Sequence, residues 1–361
     1  MANMNVRTPR FYVDTLSYLL SRGMTQNGEL DVTATGGVFR GIQTGSEIEL
    51  FDMNPLNKVD FDTSGATSSH VLVTIDTQSA TSKKNFIAIL NHNLKSAKGK
   101  IRIFAGNEDS DHTAVDGGNA ETGDVDWSSM NVTEVVNADT LTDGSGDTSK
   151  TIEPASDGST IFTFDETNLQ YWGIQFEGAH GYSGSATNET WDSSTDLFVG
   201  CILLGEYFDM PNAPDLNVTS SIMFDGVKTL ESAAGQRFSN MANSGRTHGA
   251  TTKSPFTIGQ PDYEGYGGRL AYDMSFSYLN ATSVFPNRYE SLLHTEDTVI
   301  SDVWNKTNGS HLPFIFSIDN SSTGSNAESE HMFARFADNS MSFQQVAPDV
   351  WNVSFRVEEE F

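Results

Sequence analysis

Cysteine is almost absent. Cys201 is the only one, so no intramolecular disulfide can form and thiolate metal centres are excluded. It lies inside the apolar run Leu197–Leu204 and reads as a small buried hydrophobe. A reactive thiol would need an electropositive, partly exposed setting. Positive charge is scarce too: 21 Lys and Arg face 48 Asp and Glu, a formal net charge of −27. Affinity for duplex nucleic acid rests largely on basic side chains against phosphates. This balance therefore argues against direct nucleic-acid binding and against anionic membranes. No apolar stretch reaches membrane-spanning length, so no membrane insertion is expected. The opening Met1–Arg10 lacks the apolar centre of a secretory signal, and the expectation is a chain made in a bacterial cytoplasm.

Catalytic motifs are missing as well. None of the eight histidines sits in a His-Glu-X-X-His pattern. Gly181-Tyr182-Ser183-Gly184 stops short of a nucleophile elbow, and no phosphate loop of the Gly-Lys-Ser/Thr type occurs. Carboxylates are abundant, but nothing in the sequence singles out two that face each other as a glycosidase pair would. The expectation is a protein that is not an enzyme and needs no cofactor.

What the chain does have is β-patterning, and the expected class is mainly β. Asn85–Leu90 is apolar on both faces after Asn85 and predicts a strand buried on both sides. After the corner Asn91-His92-Asn93, Ile101 and Ile103 alternate with Lys100 and Arg102 and predict a half-exposed strand. Val71, Val73 and Ile75 alternate likewise. So do Trp172, Ile174 and Phe176, and Leu197–Leu204 predicts one further buried strand. This pattern predicts a jelly-roll-like β-sandwich over 61–210, preceded by an N-terminal arm and lead-in strands over 1–60. Within the latter, Pro9–Tyr12 has two readings, an arm that docks on a neighbouring subunit or a lead-in strand of the sandwich. Asp14 with Thr15 predicts a cap on one short helical turn.

The prolines of Met210–Asp215 mark the boundary to a second β-rich unit over 211–361. Ser220–Phe224 followed by Asp225-Gly226 predicts a hairpin. Tyr272, Met274, Phe276 and Tyr278 predict a strand with one aromatic face. Leu292, Leu293, Val299, Ile300, Val303 and Trp304 recur at helical spacing and predict one amphipathic helix near 287–304, capped by Asn287. The last strand alternates Trp351, Val353, Phe355 and Val357, and Glu358–Glu360 predicts a charged, protected sheet edge.

Three groups are candidate sites. Asp109, Asp111, Asp116, Asp124 and Asp126 crowd one polar loop and are candidate calcium ligands, although the spacing of an EF-hand loop is absent. A solvated loop explains them equally. Trp127, Tyr182 and Trp191 stand in polar surroundings, where an aromatic either stacks on a host-surface glycan or anchors its loop. Asn91, His92 and Asn93 offer donors and acceptors to a sugar. Capping of the turn's own backbone accounts for them without a ligand.

The Asn91-His92-Asn93-Leu94 corner resembles that of galactose-binding-like (discoidin-type) jelly rolls in bacteriophage tail proteins. The order Leu292–Trp304, Pro313–Ile318, Ala334–Phe336 and Trp351–Glu359 is similar to the closing domain of minor tail and tail-tip proteins. Distal tail proteins place the ring-forming domain first and the sandwich second, whereas here the sandwich comes first. The resemblance implies a structural protein of a tailed-phage virion, in a tail tip, baseplate or tail adaptor. It would be a homo-oligomer closing a ring with other tail proteins as partners. A glycan-binding receptor protein of the virion and a capsid-surface (decoration) protein are the alternatives.

Overall fold

The structure is a computed structural model that describes residues 6–21, 30–35, 42–65, 70–77, 82–106, 133–134, 153–154, 156–178, 190–224, 227–241, 254–256, 268–287, 296–321 and 330–360. The chain is mainly β. In the first half the strands are β1 (Arg10–Asp14), β2 (Leu30–Thr35), β3 (Ile42–Thr44), β4 (Val59–Phe61), β5 (His70–Asp76), β6 (Lys84–His92), β7 (Gly99–Gly106), β8 (Thr133–Glu134), β9 (Gly158–Thr167), β10 (Tyr171–Gly178), β11 (Leu197–Val199) and β12 (Cys201–Asp209). The second half contributes β13 (Thr219–Met223), β14 (Val227–Glu231), β15 (Arg237–Met241), β16 (Arg269–Asn280), β17 (Phe314–Ser317), β18 (His331–Phe336), β19 (Ser342–Ala347) and β20 (Val350–Glu359).

One antiparallel sheet runs β13-β16-β20-β18-β17-β1-β12-β6-β9-β8, with β19 also paired to β20. A second sheet, β2-β5-β10-β7, packs against its β12-β6-β9 part. From β5 to β12 the main strands alternate between the two sheets, the connectivity of a jelly-roll-like sandwich. The facing side chains are those period-2 alternation selects. Val71, Val73, Ile75, Ile101, Ile103, Trp172, Ile174 and Phe176 come from one sheet; Ile87, Ile89, Phe162, Phe164, Ile202 and Leu204 come from the other. Strand β6 is buried along its whole length because its opposite face is covered too. There Phe86, Ala88 and Leu90 join Tyr12, Cys201, Leu203, Phe256, Ile315 and Phe333. A third cluster gathers Phe11, Val13 and the aromatic strands of the second half.

Several expectations are corrected. Residues 10–12 are neither an outlying arm nor a lead-in strand of the sandwich alone. Arg10–Asp14 pairs with β12 on one side and Arg10–Tyr12 with β17 on the other, so this strand joins the two halves of the sheet. The apolar run Leu197–Leu204 is two strands that break at Gly200: β11 pairs with β4, and β12 with β6. A Cβ at Gly200 would lie 2.1 Å from the Pro55 carbonyl oxygen, so only glycine fits at the break.

Strand β7 is less exposed than its alternation suggests. Lys100 is buried and pairs with Glu177 at 3.2 Å, its cross-strand neighbour on β10. The strands on either side of the expected turn do not pair with each other, since β13 pairs with β16 and β14 with β15; Asp225-Gly226 itself lies outside the described residues. Tyr278 leaves the aromatic face of β16. Its φ of +60° and the register shift between Phe276 and Leu279 form a bulge that turns it to solvent. The run Glu358–Glu360 does not protect an edge, since β20 is flanked by β16 and β18.

The helix expected near 287–304 is not continuous, because the chain is non-helical at Asp297 and Thr298. Residues 288–295 lie outside the described residues, Asp297 has φ +54°, and the helical turns begin after Thr298. They span Val299–Trp304 with π-helical geometry, capped by the Thr298 hydroxyl, which accepts from the Ser301 amide at 3.1 Å.

Candidate functional site

The corner after β6 is built from its own sequence. Asn91 takes φ +52°, the left-handed region that asparagine tolerates. Its amide donates to the Pro55 carbonyl at 2.6 Å. Asn93 donates to the Asp196 carbonyl at 2.8 Å and accepts from the Phe198 amide at 2.7 Å. His92 is fully buried and bonded at both ring nitrogens. Nδ1 accepts from the Leu94 amide at 3.3 Å, which leaves Nε2 as the protonated nitrogen, 2.9 Å from Thr160 Oγ1. Burial pushes the His92 pKa down to about 3, so the ring is neutral. These polar groups serve backbone and strand, and a sugar cannot reach them.

Trp191 is buried in the sandwich core, and its reading as a glycan contact is corrected to an anchor. The glycines facing it explain how it fits. A Cβ at Gly99 would lie 2.9 Å from the Trp191 ring, and one at Gly178 would lie 2.8 Å from its backbone nitrogen. The segment is then pinned by Asp192, whose amide donates to the Ala97 carbonyl at 3.0 Å and whose carboxylate meets Lys98 at 3.0 Å. Trp127, Tyr182 and the candidate calcium ligands Asp109, Asp111, Asp116, Asp124 and Asp126 lie outside the described residues. Among the described residues, no group of three or more His, Cys, Asp or Glu is placed to hold a metal ion, and no helix is long and apolar enough to cross a membrane. Burial raises the Cys201 thiol pKa well above its usual value, so its sulfur stays protonated.

The structure assembles a different group, beside the joint between the two halves. An open cleft of about 490 Å³ lies where β6, β9 and β12 meet the Pro211 and Asp297 segments. Its aromatic lining is Phe164, Tyr207 and Phe208, with the Asn85 side chain among them. Its carboxylates are Asp165, Glu166, Glu206, Asp209 and Asp297. Asp209 accepts two bonds from Arg10, at 2.6 and 2.8 Å, and the same guanidinium lies 3.9 Å above the Tyr207 ring. Burial works against the Arg10 charge, yet the bonds to Asp209 outweigh it and raise its pKa. Lys83 meets Glu166 at 3.1 Å and Asp297 at 3.8 Å. Beneath them Lys306 is buried between Glu206 at 2.7 Å and Asp302 at 2.9 Å.

No family model matches the chain, and no curated protein matches it. Among solved structures it is similar to a pectin-binding carbohydrate-binding module. That similarity has 13% identity over 50% of this chain and 92% of that one, with a TM-score of 0.25. A superposition that loose carries no argument about what this chain does.

The cleft was not singled out by sequence. Asp165 and Glu166 follow the buried Phe164, and Glu206 and Asp209 continue the apolar run of β12. The available signal was charge at the ends of two otherwise apolar strands. Chemically, Glu206 and Asp209 are tied to cations, and Glu166 and Asp297 share one. The arrangement can hold the two halves together and offer acceptors to a donor-rich partner.

Proposed function

We propose that the chain is a structural subunit that works by assembly, and that the assembly is a tailed-phage virion, as the corner motif and the order of the closing strands imply. The observation that carries the assembly reading is where apolar surface lies. Leu216, Ile222, Phe224, Leu230 and Phe238 are all exposed within one short stretch, while the sandwich buries its apolar residues thoroughly. Exposed apolar groups gathered in this way mark a surface used for contact. Sedimentation velocity of the purified full chain over a range of concentrations tests it. A reversible or stable oligomer is expected, and a monomer at every concentration overturns the reading. Antibody label over the head of intact particles, rather than the tail, would overturn the tail position.

A second reading, a carbohydrate-binding protein of the virion, is favoured by the cleft, whose Asn85 and carboxylates suit hydroxyl groups. An acidic cleft on a chain of net charge −27 repels polyanionic glycans. The reading is therefore for neutral or amino sugars. Titration against a panel of such glycans should show saturable binding that weakens in Asp165→Asn. Absence of binding across the panel would sink it.

A further inference from the structure

We propose that the cleft binds a sugar carrying a free amine, with the ammonium at Asp165 and a sugar oxygen at the Asn85 side chain; this rests on the carbohydrate reading above and names the class of sugar. Three observations carry it.

The sheet breaks at Asn85. On one side, the pairing of β6 with β12 stops at Phe86 and Gly205. On the other, Lys84 pairs with Thr167 and Phe86 with Thr163, so Phe164, Asp165 and Glu166 all stand opposite the single residue Asn85. A bulge of this kind re-aims side chains and ends strand pairing. Asn85 fills part of the gap, its Oδ1 accepting from the Tyr207 amide at 2.7 Å. Its Nδ2 donates to nothing among the described residues, although Asn85 is only 7% exposed and lines the cleft. A buried amide nitrogen calls for an acceptor, and here the cleft is where one can arrive.

The charges are unevenly paired. Arg10 holds Asp209, Lys83 holds Glu166 and Asp297, and Lys306 holds Glu206 and Asp302, so three cations serve five carboxylates. Asp165 is exposed and has no ion pair or hydrogen bond among the described residues. It is the carboxylate left for an incoming cation, which the net charge of −27 also draws. The remaining wall is apolar. Phe164, Tyr207 and Phe208 suit the C–H groups of a sugar ring, and the volume of about 490 Å³ is that of a small-molecule site. A bare metal ion would use neither the Asn85 donor nor this wall. An N-acetylated amino sugar keeps the ring but loses the charge.

The test is calorimetric titration of the full chain at pH 6 with three probes: a β-1,4-linked glucosamine trisaccharide, its fully N-acetylated form and the matching glucose trisaccharide. The glucosamine form should bind about tenfold more tightly than the other two, the gain of a charge-assisted over a neutral hydrogen bond. Raising salt should narrow the gap. Asp165→Asn should abolish the preference and keep the wild-type melting temperature, since the side chain is exposed. Asp338→Asn, an equal change of charge at an exposed position outside the cleft lining, should bind like wild type. Equal losses in the two variants overturn the pairing at Asp165. Glucose or N-acetylated probes that bind as tightly as glucosamine overturn the inference and leave the carbohydrate reading standing. n-Butylamine that binds as tightly as the glucosamine trisaccharide overturns the sugar as the ligand. No binding by any of the three sugars overturns the inference together with the reading.

Discussion

His92 illustrates how a polar residue can be essential without being a site. Its ring is held neutral by burial, with the Leu94 amide and Thr160 hydroxyl as partners. The native pKa is about 3 against an ordinary 6.5. Between those values the unfolded chain takes up a proton that the native ring refuses. The contribution of His92 is thus complete above pH 6.5 and is lost as pH falls toward 3, at about 1.4 kcal/mol per pH unit. His92→Gln should fold and be less stable at pH 7 by about 1–3 kcal/mol, the cost of a disturbed buried hydrogen-bond set. Denaturant unfolding at several pH values should show the gap to wild type narrowing below pH 6.5. A gap that stays constant from pH 7 to pH 4 would show that the ring does not titrate in this way. The sequence made this corner legible because asparagine and histidine at a sharp turn have few uses other than serving its backbone. The fate of Trp191 was not legible: two glycines distant in sequence, Gly99 and Gly178, open the space that it fills.

At the scale of elements, the turns Val299–Trp304 depend on a charge group that joins them to β12. Lys306 reaches Asp302 four residues back and Glu206 across the interface, and all three are buried. Burial opposes the Lys306 charge, but Asp302 and Glu206 raise its pKa, so it remains protonated. Burial likewise raises the Glu206 pKa, against the pull of Lys306. Removing the cation strands the Glu206 carboxylate, while Asp302 keeps its bonds from the Thr298 amide and the Ser301 hydroxyl. Lys306→Met should therefore cost about 3–5 kcal/mol near neutral pH, the usual cost of breaking a buried ion pair on one side. The deficit should shrink as pH falls and the stranded Glu206 carboxylate, its pKa already raised by burial, takes up a proton. Thermal unfolding at pH 7 and pH 5 measures this, and a deficit that grows toward pH 5 would refute it. Apolar spacing correctly placed Val299, Ile300 and Val303 against a sheet. It overran the start because hydrophobic periodicity does not register the positive φ of Asp297.

For the whole molecule, strand alternation revealed the class and the facing cores, since period 2 is a local property. The joint between the halves was hidden, because partner choice among strands is non-local and Arg10–Asp14 has no feature that names both β12 and β17. The same blindness made Glu358–Glu360 look like an edge. The joint has a consequence for stability. Phe11 and Val13 enter the second-half core, Tyr12 the core on the outer face of β6, and Leu16 the sandwich core. One short stretch therefore feeds three cores, and the halves should unfold together. Gly205, paired with Asp14, is where this joint is tightest, since a Cβ there would lie 2.0 Å from the Val13 carbonyl oxygen. Gly205→Ala must push β1 away from β12, at a cost of about 1–3 kcal/mol by analogy with overpacked cores. Calorimetry of the wild type should show one transition, and Gly205→Ala should lower it without splitting it. Hydrogen exchange should quicken equally in β10, deep in the sandwich, and in β20, at the centre of the other half. Acceleration confined to one of those strands, or two separate transitions in the wild type, would mean that β1 lies between two independent bodies without coupling them.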